Sequence, residues 1–110
     1  MRKIASNYLL TQEFRVLKRG YCLLDDCGDV CGLGELSGEV PEEHGVEFYA
    51  GMIIPGQLDI KGAIVGESIV DYIARVGHFN SKLHKGVTLI TALDWNSMSL
   101  RRSTTVSYIT

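Results

Sequence analysis

Six residues of this chain have side chains that bind zinc in proteins: Cys22, Cys27, Cys31, His44, His78 and His84. Zinc sites usually arrange such ligands in closely spaced pairs, and the spacing Cys-x4-Cys-x3-Cys does not match that arrangement. On a β-hairpin, Cys22 and Cys31 would also face opposite sides, because side chains alternate along strands. We therefore predict no metal site. Cys22 and Cys31 are interpreted as small apolar packing residues and Cys27 as a turn thiol.

Nucleophilic or calcium chemistry near Cys27 is also disfavoured by its neighbours. A reactive thiol needs a nearby cation or histidine to lower its pKa, whereas Cys27 lies among Asp25, Asp26 and Asp29. These carboxylates disfavour the thiolate. They also lack the alternating register over about twelve residues, and the closing Glu, of an EF-hand loop. Hairpin turn chemistry explains them better, with Gly28 in the left-handed position.

The remaining candidates have ordinary structural interpretations. His78 and His84 flank FNSKL near a predicted helix C-terminus, where a cation is favourable, so we expect capping or surface positions. Trp95 is a candidate ligand platform or, more ordinarily, a core or interface anchor. The sequence contains no Ser-His-Asp arrangement, phosphate-binding loop or dinucleotide fingerprint. We therefore expect no catalytic residues and no cofactor.

The composition is that of one compact globular domain over residues 1–110. The chain is 45% hydrophobic and 22% charged, far from the signature of disorder. A net charge of -2 and a pI near 5.9 argue against a basic face for nucleic acid or an anionic membrane. There is no membrane-spanning apolar run, no secretory signal and an odd number of cysteines. We expect a cytoplasmic protein with reduced thiols.

Turn residues divide the first half of the chain into short strand-like runs. KIASNYLL is the first of these. In GYCLLDDCGDVCGLGEL, residues 21–24 are expected to pair with residues 30–36 around a turn that contains Gly28. A polar loop, SGEVPEEHG, then precedes the strand-like runs VEFY and GMIIPG. The pattern indicates consecutive antiparallel strands.

The hydrophobic period changes in GESIVDYIARVGHF. Its apolar residues recur at three- and four-residue steps: Ile69, Tyr72, Ile73 and Val76. This pattern predicts an amphipathic helix over residues 67–77, with Glu67 or Ser68 as its cap and Gly77 as its end. The strand-like runs GVTLITALDW and STTVSYIT follow. The sequence thus predicts a mostly β domain with one helix, and more specifically a small β-sandwich.

The ordered set of hairpin, Pro-Gly strand, helix, Lys-Gly turn and closing strands resembles the amidohydrolase superfamily of metal-dependent hydrolases. The similar part of that family is the small composite β-sandwich that flanks its catalytic barrel. GYCLLDDCGDVCGLG, GMIIPGQLDI and the ending from FNSKLHKG onward carry the resemblance. A barrel of this type needs about 250 residues, but only residues 57–85 separate Gly56 from Gly86. The family's His-x-His metal pair would align with Lys61 and Ala63, so the resemblance implies a scaffold without its catalytic centre.

The sequence is compatible with three functions. The first is a non-catalytic binding or assembly domain that forms a two-fold homodimer through the face a barrel would cover. We expect that face to include the apolar side of the helix together with Met52, Ile53 and Ile54. The second is a subunit that completes an amidohydrolase barrel supplied by a partner protein. The third is a remnant without activity. A monomer whose helix lies flat across the sheet is the competing outcome to the dimer.

Overall fold

The computed structural model of the protein describes residues 1–36, 45–80 and 85–109 and is a mostly β domain with one α-helix. Its strands are β1 (Arg2–Leu10), β2 (Val16–Lys18), β3 (Gly20–Leu24), β4 (Val30–Glu35), β5 (Val46–Pro55), β6 (Val87–Thr91) and β7 (Thr105–Ile109). The α-helix, α1, is Ile69–Val76, and a 3₁₀ helix follows at His78–Asn80. The predicted fold class is confirmed. Most of the expected polar loop, together with His44 and His84, lies outside the described residues.

The strands form one hydrogen-bonded sheet in the order β4-β3-β1-β5-β6-β7. β1 and β5 are parallel to each other, whereas every other described pairing is antiparallel. The first half of β1 pairs with β3 and its second half pairs with β2. β2 and β3 therefore act as one strand that is interrupted at Arg19, whose φ is 54°.

The predicted hairpin between β3 and β4 is confirmed. Leu24 lies opposite Val30 across the hairpin. Asp25 Oδ1 accepts hydrogen bonds from the backbone N–H groups of Cys27 at 2.9 Å and Asp29 at 3.0 Å, the local bonding that favours Asp in turns. Gly28 has a φ of 86°, in the left-handed region. The Asp25 carboxylate thus holds the turn.

The helix ends are set by the caps that the sequence offered. Ser68 is the N-cap, and its Oγ accepts a hydrogen bond from the Val70 N–H at 3.2 Å. Gly77 ends the helix with a φ of 68°. Glu67, the other predicted cap, instead accepts two hydrogen bonds from the Arg75 guanidinium, at 2.9 and 3.0 Å. These bonds hold the pKa of the Glu67 carboxyl below its ordinary value.

The helix lies across one face of the sheet and forms the first core with it. The buried members of this core are Leu10, Met52, Ile54, Leu58, Ile69, Tyr72, Ile73, Ile90, Leu93 and Leu100. The prediction that the helix and the Met52–Ile54 segment leave an uncovered apolar face is therefore wrong. Met52 and Ile54 pack with the helix within one chain, whereas Ile53 is buried on the opposite face of the sheet. Val76 is the member of the predicted set that stays exposed, at 46%.

The second core lies on the opposite face of the sheet and contains side chains from strands alone. Its buried members are Ile4, Leu9, Cys22, Leu24, Ile53, Val87 and Ile109. The described helix contributes nothing to it, so the sheet must curl to cover these residues. An isolated bridge from Asp29 to Lys85 and a hydrogen bond from the Gly86 N–H to the Gly28 carbonyl, at 2.8 Å, hold the curl. The result is sandwich-like, and the first and last strands share this core through Ile4 and Ile109.

The pairing between β1 and β5 changes register in its middle. Ser6 lies opposite Tyr49, but Tyr8 lies opposite Met52, so β5 has one extra residue there. The Gly51 N–H donates to Asn7 Oδ1 at 2.9 Å, and Ser6 Oγ donates to the Gly51 carbonyl. These two side chains satisfy backbone groups of Gly51 that the shifted ladder leaves without a strand partner.

Replacing Gly51 with alanine is expected to destabilise the domain by about 2 kcal/mol or more, through steric clash and backbone strain. A Cβ on Gly51 would lie 2.4 Å from the Ile90 carbonyl oxygen, and its φ is 130°. Gly62→Ala is the matched control, because a Cβ there has no neighbour within 4 Å and φ is not positive. Urea unfolding of both variants measures the difference. If Gly51→Ala and Gly62→Ala had equal unfolding free energies, the register shift at Gly51 would be contradicted.

Candidate functional site

A cleft of about 690 Å³ opens where the irregular points of neighbouring strands line up. Its lining comes from β1, the β2–β3 junction, β5, the end of β6 and the segment that follows β6. The lining residues are Asn7, Tyr8, Lys18, Arg19, Ala50, Gly51, Thr91, Ala92 and Trp95. The volume lies within the range of about 300–1,000 Å³ typical of small-molecule sites. The cleft is therefore large enough to be a candidate binding site.

Two residues with strained backbone line the cleft. Arg19 and Ala92, with φ values of 54° and 62°, are two of the four non-glycine residues with positive φ in the described part of the chain. The Arg19 N–H donates to the Asn7 carbonyl at 2.7 Å, and Thr104 Oγ1 donates to the Ala92 carbonyl at 2.9 Å. Such conformations persist where neighbouring contacts impose them, and they cluster at functional sites. Here the neighbouring contacts fix the shape of the cleft wall.

Two aromatic side chains form one wall of the cleft. The Tyr8 and Trp95 rings are stacked, with centroids 5.2 Å apart and planes 17° from parallel. Both side chains are partly buried and pack against the first core. The pair therefore has one side anchored in the core and the other available to the cleft. Trp95, which the sequence offered as a ligand platform or an anchor, has a position that suits both roles.

The polar side chains of the cleft are mainly hydrogen-bond donors. Lys18 and Arg19 are exposed at its rim. Asn7 Oδ1 is occupied by the Gly51 N–H, so the donor atom Nδ2 lies on the other branch of this exposed amide. Among the described residues that line the cleft, there is no aspartate or glutamate. The lining thus carries positive charge in a chain whose net charge is -2.

The structure separates the three cysteines. Cys22 is buried in the second core, as predicted, and burial raises the pKa of its thiol to about 12. Cys27 is exposed in the hairpin turn. The interpretation of Cys31 as a packing residue is wrong, because Cys31 is exposed. It occupies a register shift in which Leu23 pairs with Gly32 and Leu24 with Val30, and its Sγ donates to the Leu23 carbonyl at 3.5 Å.

The positions that the resemblance aligned with metal ligands lie away from the cleft lining. Lys61 is exposed in a turn in which its N–H donates to Asp59 Oδ1 at 2.9 Å, and Ala63 packs against the first core. His78 follows the helix, and its Nε2–H donates to the Pro55 carbonyl at 2.7 Å. Over residues 1–36, 45–80 and 85–109, no three His, Cys, Asp or Glu side chains are grouped so that they could hold a metal ion.

Most of the cleft residues were not identified from the sequence. Trp95 was singled out, but Asn7, Tyr8, Lys18 and Arg19 were assigned only to strands or to the connections between them. One available signal was the run VLKRGY, in which two adjacent cations interrupt an apolar strand pattern. The register shift that turns Asn7 and Tyr8 toward the cleft has no local sequence signature, because it depends on which strand lies beside β1.

No family model, curated protein or solved structure matches this chain. The resemblance to the amidohydrolase composite domain stays a prediction. None of the described helices has the length and apolar character needed to cross a membrane.

The native protein is expected to release two thiol equivalents to a disulfide reagent at pH 8, and a third only after unfolding. The two are Cys27 and Cys31, which are exposed. Cys22 has a pKa raised to about 12 by burial, so at pH 8 it is a protonated, shielded thiol and reacts slowly. A Cys22→Ser control should leave the native count unchanged. Three equivalents from the folded wild-type protein would contradict the placement of Cys22.

Proposed function

We propose that this chain is a non-catalytic binding domain and that the cleft beside Tyr8 and Trp95 is its ligand site. One observation carries the proposal. The strained residues Arg19 and Ala92 and the register shift at Gly51 meet at a cleft with a partly buried aromatic wall. Strain of this kind persists only where the surrounding structure imposes it. A preformed concave site with aromatic and donor groups is typical of ligand binding.

The chemistry of the lining favours binding over catalysis. Covalent catalysis by a side chain needs a nucleophile within hydrogen-bond reach of a base, and acid–base catalysis most often uses His, Asp or Glu. Among the described lining residues there is no cysteine, histidine, aspartate or glutamate, and the Thr91 hydroxyl is hydrogen-bonded to the Thr105 hydroxyl, not to a base. The alternative of a subunit that completes a barrel on another chain requires a free sheet face. The helix already covers the face that we had expected the barrel to occupy, which counts against that alternative.

The proposal is tested by NMR titration of the labelled domain with a set of small aromatic compounds. We expect binders whose shift changes centre on the Trp95 indole N–H and the backbone amides of Gly51 and Ala92. Trp95→Ala should weaken these binders about tenfold, consistent with the loss of one aromatic stacking surface. Phe48→Ala is the matched control, since Phe48 is an aromatic residue that is 54% exposed and does not line the cleft.

Two results would count against the binding proposal. One is the absence of any binder in the set. The other is a set of shift changes that centre elsewhere and persist in Trp95→Ala. Thermal unfolding of each variant checks that the fold is retained. A variant that loses its fold is replaced by Trp95→Phe, which keeps a ring but reduces its area.

Self-association is a second proposal, now with a different surface. Ile64 and Val65 precede the helix and are 64% and 60% exposed, and Val76 at its last position is 46% exposed. Exposed apolar groups of this kind can mark interfaces. Sedimentation at micromolar concentration should then detect a species heavier than 12.2 kDa that Val65→Asp abolishes and Phe48→Asp does not. A single species of monomer mass would refute the proposal.

A further inference from the structure

We infer that the cleft takes a small molecule in which a planar aromatic ring carries an acidic group, either a phosphate or a carboxylate. This inference rests on the proposed binding function and adds the chemical class of the ligand. Three observations carry it: the order of side chains across β1 and β2, the charge of the lining and the size of the cleft.

The pairing of β1 with β2 places a cation directly beside the aromatic wall. Lys18 is the cross-strand partner of Tyr8, and side chains of paired residues point to the same face of a sheet. Tyr8 in turn stacks on Trp95. Across the cleft, the order of groups is therefore the Lys18 ammonium, the Tyr8 phenol ring and the Trp95 indole ring. A ligand that stacks on the aromatic pair has its own substituents within the field of Lys18.

The charge of the lining selects an acidic substituent. Lys18 is an exposed cation of the lining, and no acidic side chain is among the described lining residues, although the whole chain has a net charge of -2. A cleft lined by one sign of charge concentrates ligands of the opposite sign. The Asn7 amide adds a neutral donor, which also suits the acceptor oxygens of a phosphate or carboxylate.

The size of the cleft favours a ligand larger than an inorganic anion. A volume of about 690 Å³ is far larger than a phosphate ion occupies, and a phosphate ion held by Lys18 alone would make no use of the Tyr8–Trp95 wall. A polynucleotide, in contrast, is recognised through a basic track along its backbone, and the acidic chain makes such a track unfavourable. A single ring joined to one acid uses both the aromatic wall and Lys18.

The experiment compares matched acidic and neutral ligands by calorimetry in 50 mM NaCl. AMP is paired with adenosine, and indole-3-acetate with indole-3-acetamide. We expect at least one acid to bind about tenfold more tightly than its neutral partner, the effect of one charge-assisted contact. Raising NaCl to 500 mM should weaken binding of the acid but not of the neutral compound. Inorganic phosphate alone should bind far more weakly than AMP.

Two variants assign the charge to Lys18. Lys18→Gln should remove most of the preference for the acid and leave the affinity for its neutral partner unchanged. Lys61→Gln is the matched control, because Lys61 is an exposed lysine that does not line the cleft, and it should retain the preference. A preference for AMP alone would identify phosphate as the acid, and a preference for indole-3-acetate alone would identify carboxylate. Either result supports the inference.

Other outcomes would overturn the inference without overturning the binding proposal. Equal affinity for acidic and neutral partners would show that charge does not select the ligand. Phosphate binding as tight as AMP binding would show that the ring contributes nothing. Failure of all four compounds, while other aromatic compounds still shift the Trp95 and Gly51 signals, would also reject this ligand class. A preference retained in Lys18→Gln would reject the assigned position of the charge.

Discussion

The interrupted pairing between β1 and β5 determines which side chains enter each core and where the cleft lies. These two central strands are parallel, and β5 accommodates one extra residue between Tyr49 and Met52. Ile4 and Leu9 lie an odd number of positions apart on β1, yet both belong to the second core. Regular alternation would place them on opposite faces. The interruption therefore lets both residues face the second core, and the Asn7 and Ser6 side chains satisfy the backbone of Gly51.

The same interruption explains why the cleft lies where it does. Bulges bend strands and re-aim side chains, and three irregular points lie side by side across neighbouring strands, at Arg19, Asn7 and Gly51. Ala92, just beyond β6, extends the row with its positive φ. The two apolar cores on either side hold these strained residues in place. Apolar burial of this extent offsets strain of the order of 1–3 kcal/mol per residue.

Local features of the fold could be predicted from the sequence because their causes are local. Asp25 and Gly28 specify the hairpin turn, and Ser68 and Gly77 bound a helix whose apolar period is visible in a single segment. The fold class follows from the same short runs. These elements require no knowledge of which strands are neighbours.

The cleft and the burial of the helix could not be predicted in this way, since both depend on strand order. The exposed position of Cys31 follows from a register shift, and the burial of Met52 follows from how the helix crosses the sheet. VEFY and GMIIPG were expected as separate runs, but they form one strand, because Gly51 accommodates the irregularity within it. Long-range pairing decided each of these outcomes.

Backbone NOE contacts between β1 and β5 in solution would measure the register of this pairing. We expect interstrand contacts for Ser6 with Tyr49 and for Tyr8 with Met52, together with contacts between the Tyr8 and Trp95 rings. An uninterrupted ladder, in which Tyr8 contacts Gly51 as its partner and the two rings are apart, would contradict this register. In that case the interrupted pairing could not explain why Ile4 and Leu9 share the second core, nor where the cleft lies.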